Sequence, residues 1–439
     1  MSPVLRFGTD GVRGRAYDDL FPDDVIRLAQ AAAEVLAPNG PVVIGRDTRN
    51  SSPEFAAALA AGFSAVGVST IDLGVAPTPA VAWASERTRN PGAMISASHN
   101  PWYDNGIKLF SPEGRKLDDE VQAALESSLA DPGRQTVPTL GTPQRTSDGS
   151  ELLQEYQDAV TGTVEFHGDE LSVVVDAAHG SATAALPDPI RAHGVAVTVI
   201  NADPDGRNIN HRCGSTYPEA VAYAVSGRGA DLGLTFDGDA DRVLAVDHTG
   251  GLVDGDQIIA ICAADRHQQG RLPGDTVVVT VMTNLGFHRA MAQRGINVVT
   301  TPVGDRHVWS ALQEGNWALG GEQSGHVIFP ALATTGDGLI TALQLLEVVA
   351  RRGLPLRDLA VEAMTKMPQV LHNVAIGPDS IDEDRLLAAV AAAEQALGES
   401  GRILVRPSGT EPVLRIMVEA ETQEAAESAA ADVAEAISQ

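Results

Sequence analysis

Three carboxylates at alternate positions, Asp237, Asp239 and Asp241, follow the apolar run Leu232 to Phe236 in the segment FDGDADR. Carboxylates at i, i+2 and i+4 behind a buried strand can converge on one hard cation, because Mg²⁺ and Ca²⁺ take oxygen ligands. An EF-hand loop needs Gly at its sixth position and Glu at its twelfth; Arg242 and His248 stand there, so that reading fails. A second polar loop, SASHNP, follows Ala93 to Ile95 and carries Ser98, with His99 and Lys108 near it in sequence. Such a serine is either a nucleophile or a turn-capping residue. The G-x-S-x-G elbow is absent, which removes support for an esterase triad.

Two further loops suit a phosphorylated, hydroxyl-rich ligand. In GGEQSGH the small residues let backbone approach a ligand, and Glu322 and Ser324 can bond sugar hydroxyls. A tight turn holding a hydrogen-bonded His326 fits that segment equally well. In RPSGTEP, Arg406, Ser408, Gly409 and Thr410, with Arg415 beyond them, supply guanidinium groups, hydroxyls and exposed amides. That set favours a phosphate cradle over a hairpin with ordinary salt bridges. No lysine follows a glycine, so a P-loop is excluded. The nearest dinucleotide-like glycines, Gly227 and Gly229, precede their strand instead of following one.

The elements that must position these loops repeat a simple plan. Val42–Ile44, Val173–Val175 and Val277–Val279 read as buried strands, each passing through a polar turn into a helix. Strand, turn and helix in series indicate parallel βαβ units. Ligands in open α/β sheets bind beyond the carboxyl ends of the strands, where the polar loops lie. The C-terminal part differs: a helix capped by Ser380 and Glu383, strands at Ile403–Arg406 and Val413–Glu419, then a helix capped by Thr422. The expected fold is α/β: three similar mixed α/β domains plus a smaller C-terminal α+β domain. Expected boundaries are 1–150, 151–253, 254–367 and 368–439, with a linker and hinge near 366–370.

A formal charge of −27 over 439 residues repels polyanions, so neither nucleic acid nor anionic membrane is an expected partner. Lysine occurs only at 108, 116 and 366, so nearly all positive charge is arginine, whose planar fork suits phosphate. Cys213 and Cys262 lack metal-ligand spacing and read as buried thiols. No apolar run is long enough to span a membrane, and the N-terminal residues lack a signal peptide's apolar region. The expectation is a soluble, cytoplasmic protein.

Together and in this order, ISASHNP, FDGDADR, GGEQSGH and RPSGTEP resemble the phosphoserine, metal, sugar and phosphate loops of the α-D-phosphohexomutase superfamily. The opening FGTDGVRG around Arg13 also matches. NPWYDNGIKLF, PDGRNIN with CGST, VDGDQ, VGDR and TTGDG look like the branch of bacterial phosphoglucosamine mutases. Arg207, His211 and Arg212 fall in a variable stretch, and DAAH at 176–179 replaces a more usual DCANG.

The resemblance implies a central active-site cleft in which a phosphorylated Ser98 exchanges its phosphoryl group with a sugar. One Mg²⁺ would sit between Asp237, Asp239, Asp241 and an oxygen on Ser98, with Arg242 steadying the moving group. Glu322 and Ser324 would hold the sugar; Arg406, Ser408, Gly409, Thr410 and Arg415 would hold the phosphate that is not reacting. Lys108, His326 and Arg13 are the acid–base candidates, Lys108 first. A hexose bisphosphate would be intermediate and activator, and it must turn over between half-reactions. The implied partner is a phosphorylated amino sugar, glucosamine 6- or 1-phosphate on the way to UDP-N-acetylglucosamine and cell wall, handled by a monomer or homodimer. Mannose or glucose phosphate with the same mechanism, or a metal-dependent sugar phosphatase, are the alternatives.

Overall fold

The computed structural model describes residues 5–8, 11–130, 144–375, 383–407 and 413–438. The chain forms two compact units: Met1–Val281 with Asn297–Ala360, and Met282–Ile296 with Val361–Gln439.

The first unit holds three sheets. The first is built from β1 (Val12–Arg15), β2 (Val42–Arg46), β3 (Thr70–Val75), β4 (Gly92–Ile95), β5 (Asp104–Phe110) and β6 (Thr146–Asp148). Its order is β1-β5-β4-β2-β3-β6, with β4, β2, β3 and β6 parallel and the β5 return antiparallel to both neighbours. The second comprises β7 (Ser172–Asp176), β8 (Ala196–Ile200), β9 (Leu232–Phe236), β10 (Val243–Asp247) and β11 (Leu252–Val253), ordered β11-β10-β9-β7-β8. The third comprises β12 (Thr276–Thr280), β13 (Asn297–Thr301), β14 (Gly320–Gly321) and β15 (Val327–Ile328), ordered β13-β12-β14-β15. The continuous valines of β7 and β12 are buried on both faces, as expected of strands covered by helices on each side.

These sheets deliver the polar loops. β4 runs into Ser96–Pro101 and returns as β5, which carries Lys108 opposite Met94. β9 ends at Phe236, and Asp237 to Arg242 forms the turn into antiparallel β10. β14 and β15 are the two short arms around Glu322–His326. The helix Gly338–Arg352 packs close behind the metal loop: a Cβ on Gly338 would lie 2.8 Å from Arg242 O and 2.9 Å from Ala240 O.

In the second unit β16 (Gln369–Ala375), β17 (Arg402–Pro407) and β18 (Val413–Glu419) form an antiparallel sheet ordered β16-β18-β17. The alanines and valines of the helices Glu383–Leu397 and Gln423–Ser438 pack on one face of it. Thr422 does cap the last helix, its Oγ1 accepting from Ala425 N at 3.2 Å. The proposed Ser380 cap lies outside the described residues. No described helix is long and apolar enough to cross a membrane. Both cysteines are buried and unpaired by disulfides, and burial pushes each thiol up to about 12.

One capping residue titrates with a stability consequence. Asp337 Oδ1 accepts from Leu339 N (2.9 Å) and Ile340 N (3.0 Å), opening the helix Gly338–Arg352, while its Oδ2 accepts from Tyr156 Oη at 2.9 Å. Burial raises the carboxyl to about 6 despite these hydrogen bonds. Because the folded pKa exceeds the unfolded one, the folded state holds this proton more tightly. The associated stability is complete below about pH 4 and is lost as pH rises through about 6, a difference of about 3 kcal/mol. Asp337→Asn keeps the capping oxygen and removes the ionisation. Urea unfolding at pH 4 and pH 7 should therefore show the variant gaining on the parent as pH rises; an equal difference at both pH values would refute this assignment.

Candidate active site

Ser98 sits at φ 51°, in the left-handed region that a serine rarely occupies, and is 1% exposed. Its Oγ donates to Asp237 Oδ2 at 2.6 Å, and His99 Nδ1 lies 3.4 Å away. Asp237, Asp239 and Asp241 are all buried, and one carboxylate oxygen from each lies within 4.8 Å of the others. Oδ1 of Asp239 and Oδ1 of Asp241 are buried and accept no hydrogen bond. Buried carboxylate oxygens without donors are costly unless a cation faces them. A hard divalent cation supplies what this donor set lacks, so the three carboxylates fit a metal site.

The remaining charge is balanced by the chain itself. Lys108, 2% exposed, places Nζ 2.6 Å from Asp239 Oδ2 and 3.3 Å from Asp241 Oδ2. Thr78 Oγ1 donates to Asp239 Oδ2 at 2.5 Å, and its N–H to the Asp239 carbonyl at 2.9 Å. Arg242 N–H donates to Asp237 Oδ1 at 3.2 Å, and its Nε lies 3.7 Å from Asp241 Oδ1. Burial and the two neighbouring carboxylates push the Asp237 carboxyl well above the usual range. Burial acts in the same direction on Asp239 and Asp241. At Asp239 the Asp241 charge adds to burial, but Lys108 and Thr78 together outweigh both; at Asp241 Lys108, His326 and Arg242 together outweigh burial, and both carboxyls are held below their ordinary values.

His326 is fully buried, with Nδ1 3.7 Å from Asp241 Oδ2 and Nε2 3.4 Å from Asp305 Oδ2. Burial pulls its pKa down, but Asp241 and Asp305 together raise it. Gly336 N–H donates to Nε2 at 3.1 Å, which needs a lone pair there and puts the imidazole proton on Nδ1, facing Asp241. A Cβ on Gly336 would stand 2.4 Å from that nitrogen, so only glycine lets the backbone meet the ring. His99 behaves oppositely: burial, then Arg242 and Arg13, lower it to about 4, leaving a neutral imidazole beside Ser98. Arg13 lies on β1 opposite Gly106.

In the sugar-loop segment, Glu322 Oε1 accepts from Gly304 N at 3.0 Å, and Ser324 Oγ lies 3.5 Å from Glu322 Oε2. Gly255 of VDGDQ packs under this loop, its N–H donating to Gln323 O at 3.0 Å. In the second unit Arg406 and Arg415 are cross-strand partners and line a 270 Å³ pocket with Asn373, Leu404 and Met417. Ser408, Gly409 and Thr410 lie outside the described residues.

Models of the four phosphoglucomutase/phosphomannomutase domains match almost the whole chain: alpha/beta/alpha domain I over residues 4–135, domain II over 154–251, domain III over 254–367 and the C-terminal domain over 365–436. The chain belongs to the phosphoglucomutase/phosphomannomutase family. A phosphoglucosamine mutase of Frankia alni is 52% identical over 431 residues, covering 95% of this chain and 94% of the relative. That of Rhodococcus opacus is 48% identical over 436 residues and 98% of each chain. A phosphoglucomutase/phosphomannomutase family protein from Burkholderia thailandensis has a solved structure with TM-score 0.81, 25% identity and coverage of 98% of this chain and 96% of its own.

The structure thus brings Ser98, Lys108, Arg242, His326 and the three aspartates into one cluster, with His99, Thr78 and Asp305 added. The sequence places His99 beside the serine and Asp305 inside VGDR without marking a role for either, and nothing in it flags Thr78 beyond its place at a helix start. If the carboxylates hold a cation in solution, chelation should lower the melting temperature relative to saturating Mg²⁺. The effect should be a few degrees, because saturation near 100 times Kd is worth about 2.7 kcal/mol. Superimposable melting curves would count against the site.

Proposed function

We propose that this enzyme interconverts glucosamine 6-phosphate and glucosamine 1-phosphate through a phosphorylated Ser98. The observation that carries this reading is the Ser98 hydroxyl held 2.6 Å from Asp237 at the edge of a carboxylate trio with two undonated oxygens. Relatives named phosphoglucosamine mutase, 47–52% identical over nearly the full chain, support the choice of sugar.

In this reading the bond from phosphorus to Ser98 Oγ breaks as a bond to a sugar hydroxyl oxygen forms. Lys108 gives a proton to the departing serine oxygen and regains one from the attacking hydroxyl. His326 has both ring nitrogens engaged, so it positions Asp241 and does not carry the proton. A Mg²⁺ held by Asp237, Asp239 and Asp241 would supply charge neutralisation for the transferred group. Arg242 and Arg13 add positive charge beside Ser98. Glu322 and Ser324 grip sugar hydroxyls, and Arg406 with Arg415 grips the distal phosphate in a bidentate manner suited to guanidinium. A bisphosphorylated sugar turns over between the two transfers. The enzyme works in the cytoplasm, as monomer or homodimer, supplying UDP-N-acetylglucosamine synthesis.

A mutase assay with Mg²⁺ and trace hexose bisphosphate on glucosamine, glucose and mannose phosphates tests this directly. Preferred isomerisation of the glucosamine phosphate without phosphate release is expected. Preference for another sugar would keep the mechanism and change the substrate, whereas phosphate release without isomer would identify a hydrolase. Lys108→Ala should lose about 100-fold or more in turnover while retaining Mg²⁺ affinity; near-normal turnover would remove Lys108 as the proton carrier.

A further inference from the structure

Behind the Ser98 loop lies a charged side chain that neither the sequence motifs nor the catalytic cluster explains. Arg49, in the GRDTR turn after β2, is 1% exposed. Its Nη2 donates to Ser98 O at 2.8 Å and Asn100 O at 2.9 Å, and its Nη1 donates to Asp104 O at 3.0 Å and to Pro101 O. Its Nε pairs with Asp47 Oδ2 at 2.8 Å. Asp47 is itself saturated: Oδ1 accepts from Ser52 Oγ at 2.7 Å and from Arg49 N at 3.0 Å, and Oδ2 from Ser96 Oγ at 2.7 Å. Ser96 Oγ then accepts Ser98 N–H at 2.9 Å, closing a ring of bonds around the serine's own peptide units. A second clamp comes from the segment between β8 and β9, where Asn210 Nδ2 donates to Ser98 O at 2.9 Å and Asn100 O at 3.1 Å. That segment is fastened to the same place by Asn50 N–H to Gly206 O at 2.9 Å and by Arg207 stacked 5.3 Å over the Trp102 ring.

We infer that Arg49, seated on Asp47 and assisted by Asn210, is the positioning residue that holds Ser98 in its left-handed conformation and turns the loop's carbonyls away from the reacting group. Four backbone oxygens converge on one guanidinium, whose five donors in a rigid fork are the only side-chain group able to satisfy so many acceptors. A carbonyl oxygen facing a phosphoryl dianion would repel it; each one bonded to Arg49 points the other way. The positive φ at Ser98 is strained for any residue with a Cβ and persists only where surrounding contacts over-determine it. Gly238 completes the fit from the metal loop: a Cβ there would fall 2.5 Å from Ser98 O and 2.8 Å from Asn210 Nδ2. The clamp thereby sets the distance from Ser98 Oγ to the carboxylates without touching them.

This inference rests on the phosphoserine reading above, and the experiment separates the two. Wild type, Arg49→Lys and Asn210→Gly would be phosphorylated with a hexose bisphosphate, and single-turnover transfer to glucosamine 6-phosphate followed by intact mass, alongside Mn²⁺ titration and melting. Glycine at 210 preserves the local backbone, where φ is 58°, while deleting the clamp. For Arg49→Lys the transfer rate should fall about 100-fold, the scale of an ångström-size misplacement, and for Asn210→Gly it should fall by a smaller factor. KM and Mn²⁺ affinity should stay within about threefold, since neither residue meets the carboxylates. Unchanged transfer in Asn210→Gly together with Arg49→Lys would overturn the positioning role. Loss of transfer in step with Mn²⁺ affinity in both would also overturn it, assigning the pair to general folding. A wild-type protein that forms no phosphoenzyme would overturn the mutase reading itself.

Discussion

Burying three carboxylates within 4.8 Å of one another is the constraint around which the first unit is organised. Removing an ionised carboxylate from water costs several kcal/mol even after relaxation, and like charges add to that cost. The chain answers with buried cations and donors drawn from separate sheets: Lys108 from β5, Thr78 from the helix after β3, and His326 beside β15. None of the three sheets could hold this cluster alone. Asp237, Asp239 and Asp241 end one strand of the second sheet, yet each is compensated by residues of the first or the third.

The same logic continues outward. Lys108 sits between Asp239 and Asp241, the neutral His326 turns its Nδ1–H toward Asp241, and Asp305 pairs with Lys116. Each of these buried carboxylates thus has a cation or a hydrogen-bond donor beside it, although the chain as a whole carries −27. The net acidity of the whole chain therefore says little about the site, where Lys108 and Lys116 lie among the carboxylates.

Much of this was legible in the sequence, for identifiable reasons. Polar loops at the ends of apolar runs, such as FDGDADR after Leu232–Phe236, are visible because the run is short, buried and closed by acidic residues. The α/β class followed from the repetition of that pattern. Partners across sheets were not legible: Thr78 lies far from Asp239 in sequence, and only the tertiary fold brings its hydroxyl there. Arg49 escaped for a related reason. GRDTR reads as a polar turn, and nothing local says that the arginine points inward, toward carbonyls of a loop some fifty residues later. Asp337 was recognisable as part of TTGDG, whereas its bond to Tyr156 depends on how two helices pack.

The economy in lysine has a practical side. Of the three amine side chains, Lys108 is sealed in the carboxylate cluster and Lys116 is paired with Asp305 in a mostly buried ion pair. Lys366 alone is exposed, just ahead of the strand Gln369–Ala375. An amine-reactive dye or cross-linker at mild alkaline pH will meet Lys366 ahead of the two sequestered lysines. The sequence therefore already contains a favoured chemical handle at the start of its C-terminal sheet, where a reporter group can be attached without introducing a cysteine.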